Sequence, residues 1–143
     1  MAENILELVE HRAGGTPERI QSATFPRQVR SVPLARRFVT EVIGQHSAAE
    51  DAVLLASELV TNAVVHARDA TAVTVTVAVT AALIRVDVQD DGRAGIPYWR
   101  DAGSQAEEGR GFQIVNALAQ RWGFICEQDR TCCWFEVAAA HAA

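Results

Sequence analysis

The chain has 143 residues, 49% of them hydrophobic and 22% charged, and its 13 basic and 18 acidic residues leave a net charge of -5. That balance suits one globular domain and excludes a disordered chain, a coiled coil or a collagen-like repeat. The negative charge argues against a nucleic-acid surface built on bulk electrostatics, so no direct nucleic-acid partner is expected.

No apolar run is long enough for a membrane span, and Glu3, Glu7 and Glu10 stand where a signal peptide carries cations. A cytoplasmic protein with no membrane partner is expected. Cys126, Cys132 and Cys133 lack the spacing of a zinc or redox site and read as reduced packing residues. His11, His46, His66 and His141 are scattered, so no histidine-based metal site is visible.

Residues 1–22 read as an appendage in which Ile5, Leu6, Leu8 and Val9 can line one helical face before Gly14-Gly15-Thr16-Pro17 breaks it. The domain proper is expected over residues 23–143. Ala23-Thr24-Phe25-Pro26 is a short strand candidate. Ser31 is placed to cap a helix, with Pro33 in its first turn, running to Gly44. A second helix is expected from about Ala49 to Ala67, with Ala52, Ala56, Leu59, Val60, Ala63 and Val64 on its apolar stripe.

Two strands follow. Val73, Val75, Val77 and Val79 alternate with Thr74, Thr76 and Ala78, and Ile84, Val86 and Val88 alternate with Arg85, Asp87 and Gln89. Residues 91–110 hold several glycines and read as a mobile loop. A helix is expected over about residues 111–120, then a hairpin made of residues 122–127 and 131–137. Strands adjacent in sequence pair antiparallel most simply, giving an α+β fold: a two-layer α/β sandwich, mostly antiparallel, with helices on one face.

Three segments carry polar residues that packing does not require. Glu58, Asn62 and His66 recur every fourth residue and share one helical face. An amide oxygen suits Mg²⁺, and a carboxylate one turn away can take a proton from a hydroxyl; a solvated helix face is the plainer alternative. Asp90 continues the Ile84/Val86/Val88 face inward, where a carboxylate needs donors such as an adenine amino group, and Gly92 and Gly95 let backbone approach a ligand. An ordinary Asp-Asp-Gly turn is the alternative. Gly109-Arg110-Gly111 leads into a helix and offers backbone N–H groups and a cation to an anion, although Gly-x-Gly alone is a weak signal.

Together and in this order, the three segments resemble the N, G1 and G2 boxes of the Bergerat-fold ATP-binding superfamily, which includes the ATPase domains of gyrase and histidine kinases. The compact size and the Trp122-Gly123 and Trp134-Phe135-Glu136 ending are most similar to its anti-sigma-factor serine/threonine kinase branch. The resemblance covers about Phe25 to Val137. It implies ATP and Mg²⁺ as cofactors, with Asn62 holding Mg²⁺ on the phosphates and Glu58 as general base. It further implies Asp90 as acceptor of the adenine amino group, Gly92 and Gly95 shaping the adenine pocket, Gly109, Arg110 and Gly111 lining the phosphates, and His66 near them.

The implied function is a serine/threonine protein kinase that binds a sigma factor, phosphorylates an anti-sigma antagonist protein, and forms a homodimer. Of three departures, two lie in the boxes: Gly92 and Gly95 are separated by two residues where one is usual, and Phe112 stands where Leu is usual; the third is the length. The altered spacing motivates an alternative, a nucleotide-responsive binding module with little or no kinase activity. A third reading is a structural α/β protein with decayed boxes. The length leaves no room for a phosphoacceptor dimerisation domain, which disfavours a stand-alone sensor histidine kinase.

Overall fold

The computed structural model describes residues 17–67, 69–92, 110–127 and 130–140. The period-two segments fold as strands and the longer 3.6-period segments as helices. In chain order these are β1 (Arg19–Pro26), α1 (Ser31–Ile43), α2 (Ala49–His66), β2 (Ala72–Val79), β3 (Leu83–Asp90), α3 (Arg110–Leu118), β4 (Arg121–Glu127) and β5 (Arg130–Ala138). The strands form one sheet in the order β1-β2-β3-β5-β4, and every neighbouring pair is antiparallel.

Alternation decides which side of the sheet the helices cover. Val73, Val75, Val77, Val79, Ile84, Val86, Val88, Cys133, Phe135 and Val137 pack with buried residues of α1, α2 and α3 in one core. Val39, Ile43, Leu55 and Leu59 supply much of the helical share and are essentially inaccessible to solvent. Burying each such side chain is worth about 1.5–3 kcal/mol. The expected two-layer α+β arrangement is the one the chain adopts.

Two local expectations are corrected. The strand candidate at residues 23–26 is the second half of β1, which begins at Arg19 and pairs with β2 from Arg19↔Val79 to Pro26↔Ala72. Its first four residues are solvent-exposed, as an edge strand allows, so they carry no apolar alternation. Ser31 does not cap α1. It is the first helical residue, fully buried, and its hydroxyl donates to the Pro26 carbonyl at 2.6 Å, while Arg30 occupies the cap position without a side-chain bond. The hydroxyl therefore ties the helix start to the end of β1. At the other end of α1, Gly44 adopts φ +63°, a left-handed conformation that closes the helix.

Candidate functional site

α2 spans from one end of the sheet to the other. At its start, His46 Nε2 lies 2.9 Å from the Thr80 carbonyl and His46 Nδ1 accepts the Ala48 N–H at 3.0 Å. Because Nδ1 is an acceptor, Nε2 carries the proton that the carbonyl receives. At its far end, the Arg27 guanidinium donates to the carbonyls of Val64 (2.8 Å) and Ala70 (2.7 Å). Asp91 accepts the Thr71 and Ala72 N–H groups at 2.7 and 3.1 Å, and the Thr71 hydroxyl as well. These bonds, that from the Thr71 hydroxyl first, hold the Asp91 carboxyl below its ordinary range.

The connection from α2 to β2 is thus gripped from two sides and brought against the end of β3. A Cβ at Gly92 would lie 2.7 Å from Asp69 Oδ1, 3.0 Å from Asp90 Oδ1 and 3.4 Å from Ala70 Cβ. Only a glycine lets the backbone pass there without displacing its neighbours.

Asp90 is buried, 6% exposed, and its Oδ1 accepts the Gly92 N–H at 2.9 Å. Burial pushes its carboxyl above the usual range; the Gly92 bond opposes that rise, and the nearby Asp91 and Asp69 charges add to it. One N–H leaves most of a carboxylate's acceptor capacity unused.

Directly opposite Asp90 in the β3–β5 ladder stands Thr131, 5% exposed, with a buried hydroxyl that has no partner among the described residues. Sequence reasoning missed it. The available signal was its parity with Cys133, Phe135 and Val137, which makes it a polar residue ending an inward apolar row, as Asp90 does.

The other buried side-chain polar atom without a partner among the described residues is Asn62 Nδ2. An unpaired buried group costs about 1–3 kcal/mol, so both sites are suited to an external partner. Asn62 lies five residues before the end cap of α2 at Ala67, roughly 7–8 Å along the axis from the turn that meets Gly92. Glu58 and His66 are half-buried on the same helical face, one turn to either side. Arg110 and Gly111 open α3, which packs on α2. Gly95, Gly109 and the loop at residues 93–109 lie outside the described residues. Among the described residues no cluster of His, Cys, Asp and Glu suits a metal ion, so a cation would depend on Asn62 and on oxygens brought by a ligand.

Residues 25–136 match the Histidine kinase-like ATPase domain family. The chain belongs to that family. This ATPase domain also shares its fold with solved structures. One is that of the RsbU and RsbW domains of Rv1364c from Mycobacterium tuberculosis, at 19% identity and a TM-score of 0.64, covering 90% of this chain and 35% of that one. Another is the Acinetobacter baumannii histidine kinase AdeS, at 15% identity and a TM-score of 0.51, covering 95% and 74%. The ATPase domain therefore spans about a third of the length of the first. No curated protein matches the sequence. Among the described residues, no helix of the domain is long and apolar enough to cross a membrane.

Proposed function

We propose that this ATPase domain binds ATP with Mg²⁺ and acts as a serine/threonine protein kinase of the anti-sigma type. In this reading it holds a sigma factor, phosphorylates a serine on an anti-sigma antagonist protein, and works as a homodimer. The observation that carries the nucleotide part is the pair of buried polar atoms without partners among the described residues, Asn62 Nδ2 and Thr131 Oγ1. They belong to the two elements that flank the inward-facing carboxylate of Asp90. The family match and the structural likeness to an RsbW-containing protein support the regulatory part.

Asp90 accepts the exocyclic amino group of adenine, and Thr131 supplies a hydroxyl to the same edge of the base, directly or through a water. Gly92 keeps that end of the pocket low. The Asn62 amide, turned so that its oxygen faces the phosphates, holds Mg²⁺, and the ion when bound offsets phosphate charge. Glu58, one turn back, orients or deprotonates the attacking serine hydroxyl. Gly109, Arg110 and Gly111 line the phosphates from the start of α3, with His66 near them, and Gly95 shapes the pocket edge.

Incubating the full chain with γ-labelled ATP, Mg²⁺ and a candidate antagonist protein tests the reading. Label on a serine of the antagonist, lost in Glu58→Gln, supports it. Stable ATP binding without transfer supports the nucleotide-responsive binding module that the Gly92–Gly95 spacing motivates.

A further inference from the structure

The two helices α1 and α2 end differently. α1 closes on Gly44 in the left-handed region, whereas α2 closes on Ala67 at φ −80° and ψ 70°, with no glycine to turn the chain back onto its last carbonyls. The Ala67 N–H donates to the Ala63 carbonyl at 3.2 Å. The next carbonyl along, that of Val64, accepts from a side chain 37 residues away, Arg27, which directly follows β1.

Arg27 does more than finish a helix. Its Nη1 donates to Val64 at 2.8 Å, its Nε donates to the Ala70 carbonyl at 2.7 Å, and its backbone N–H donates to the Thr71 carbonyl at 3.0 Å. The helix dipole favours a cation beside those last carbonyls. A guanidinium holds its donors in a fixed planar fork, so it can bridge two carbonyls where the ammonium of a lysine is a single point charge. One residue thus pins the last turn of α2, the turn after it and the entry to β2. Inside that turn the Ala70 N–H donates back to the Ala67 carbonyl at 2.9 Å. Asp91 holds the β2 side through the Thr71 and Ala72 N–H groups, and Arg27 holds the α2 side.

The pinned turn bears on Asp90. Asp69 and Ala70 supply the atoms that leave no room for a side chain at Gly92, and Gly92 gives its N–H to Asp90 Oδ1 at 2.9 Å. A contact path therefore runs from Arg27 through residues 67–71 to Gly92 and ends on the carboxylate. Nε and Nη1 are engaged by main-chain carbonyls, so Arg27 acts on Asp90 through the turn.

We propose that Arg27 is a positioning residue for the base-reading end of the site: by pinning the end of α2 and the turn beyond it, it keeps Gly92 on Asp90 and sets the direction in which that carboxylate meets a purine. The inference rests on the nucleotide reading above. It assigns base preference in part to a residue outside the three boxes.

A double-mutant comparison on the full chain tests it, with every titration run well below the melting temperature of the variant so that lost stability does not enter. Arg27→Lys keeps the charge but not the bridge, and Arg27→Gln, measured beside it, keeps a donor without the charge. Each binds Mg-ATP about tenfold more weakly than the parent, while Mg-GTP binding is unchanged, so the preference for ATP narrows. Added to Asp90→Asn, either substitution lowers ATP affinity no further, because both act through the same carboxylate. In the nucleotide-free chain, hydrogen exchange at the Gly92 amide speeds up about tenfold, and that of Val77 in the middle of β2 does not. Unchanged ATP affinity in both variants overturns the proposal, as do equal losses for ATP and GTP or losses that add in full to those of Asp90→Asn. If the parent binds neither nucleotide, the nucleotide reading fails and Gly92 exchange decides the role of Arg27: acceleration in the variants keeps it as the residue that holds Gly92 on Asp90, and an unaltered rate overturns it.

Discussion

Asp90 and Thr131 face each other across the β3–β5 ladder, both buried beneath the helical layer, and among the described residues the Gly92 N–H is the one group that bonds to either side chain. A carboxylate and a hydroxyl held in register by two paired strands form a rigid polar edge. Such an edge discriminates strongly, because a ligand that fails to satisfy buried polar groups pays their full desolvation.

Replacing Asp90 by Asn keeps an acceptor for Gly92 but changes the pattern shown to the base. ATP affinity falls by about 1–3 kcal/mol, measured by titration calorimetry. Stability of the ligand-free fold stays level or rises at neutral pH, because the buried carboxylate is the costly form. The sign follows from the upward shift of Asp90. Its stability share is complete at low pH and is lost as pH rises through the raised value, whereas ATP affinity, which needs the carboxylate, climbs over the same window. A pH series of affinity and melting temperature checks both slopes.

Thr131→Val removes the buried hydroxyl with little change of shape. Without nucleotide the variant is as stable as the parent or up to about 1 kcal/mol more so, since an unpaired group is gone. With nucleotide it binds about tenfold more weakly. Denaturant titrations with and without ATP separate the two effects.

Asn62→Ala removes the amide expected to hold Mg²⁺. Melting of the ligand-free chain shifts little, because the half-buried side chain has an unpaired nitrogen to lose. Stabilisation by Mg-ATP, about 2.7 kcal/mol at a hundredfold excess over Kd in the parent, disappears. Thermal shift with and without Mg²⁺ reads this directly.

Arg85→Ala leaves Glu136 and Asp87 facing each other without their shared cation. Removing one partner of a buried ion pair costs about 3–5 kcal/mol, enough to unfold a marginal domain. Burial already pushes the Asp87 carboxyl upward despite the arginine. Part of the loss is therefore recovered in acid, where the Asp87 carboxyl protonates. Urea titration at two pH values measures it.

Much of the fold was legible because the valine–threonine alternation of β2 and the apolar stripe of α2 are local patterns. What stayed hidden depends on register. Arg85 reads as a solvent-facing residue from its own strand, and its contacts with Glu136 and the Trp134 ring emerge only once β5 is set against β3. Thr131 gains meaning only when β5 is set against Asp90. Ser31 resembles a helix cap, but its hydroxyl is used by Pro26 instead. Within the site, the spacing of Glu58, Asn62 and His66 and the inward parity of Asp90 could be read directly. The grip of Arg27 and Asp91 on the turn between α2 and β2 could not, because it joins segments 19 to 43 residues apart.

The most direct test of the nucleotide pocket is calorimetric titration of the full chain with Mg-ATP and Mg-GTP side by side. Guanine offers a carbonyl where adenine offers an amino group, so an Asp90 acceptor predicts measurable ATP binding with GTP at least about tenfold weaker. Equal affinity for the two, or binding of neither, would contradict it.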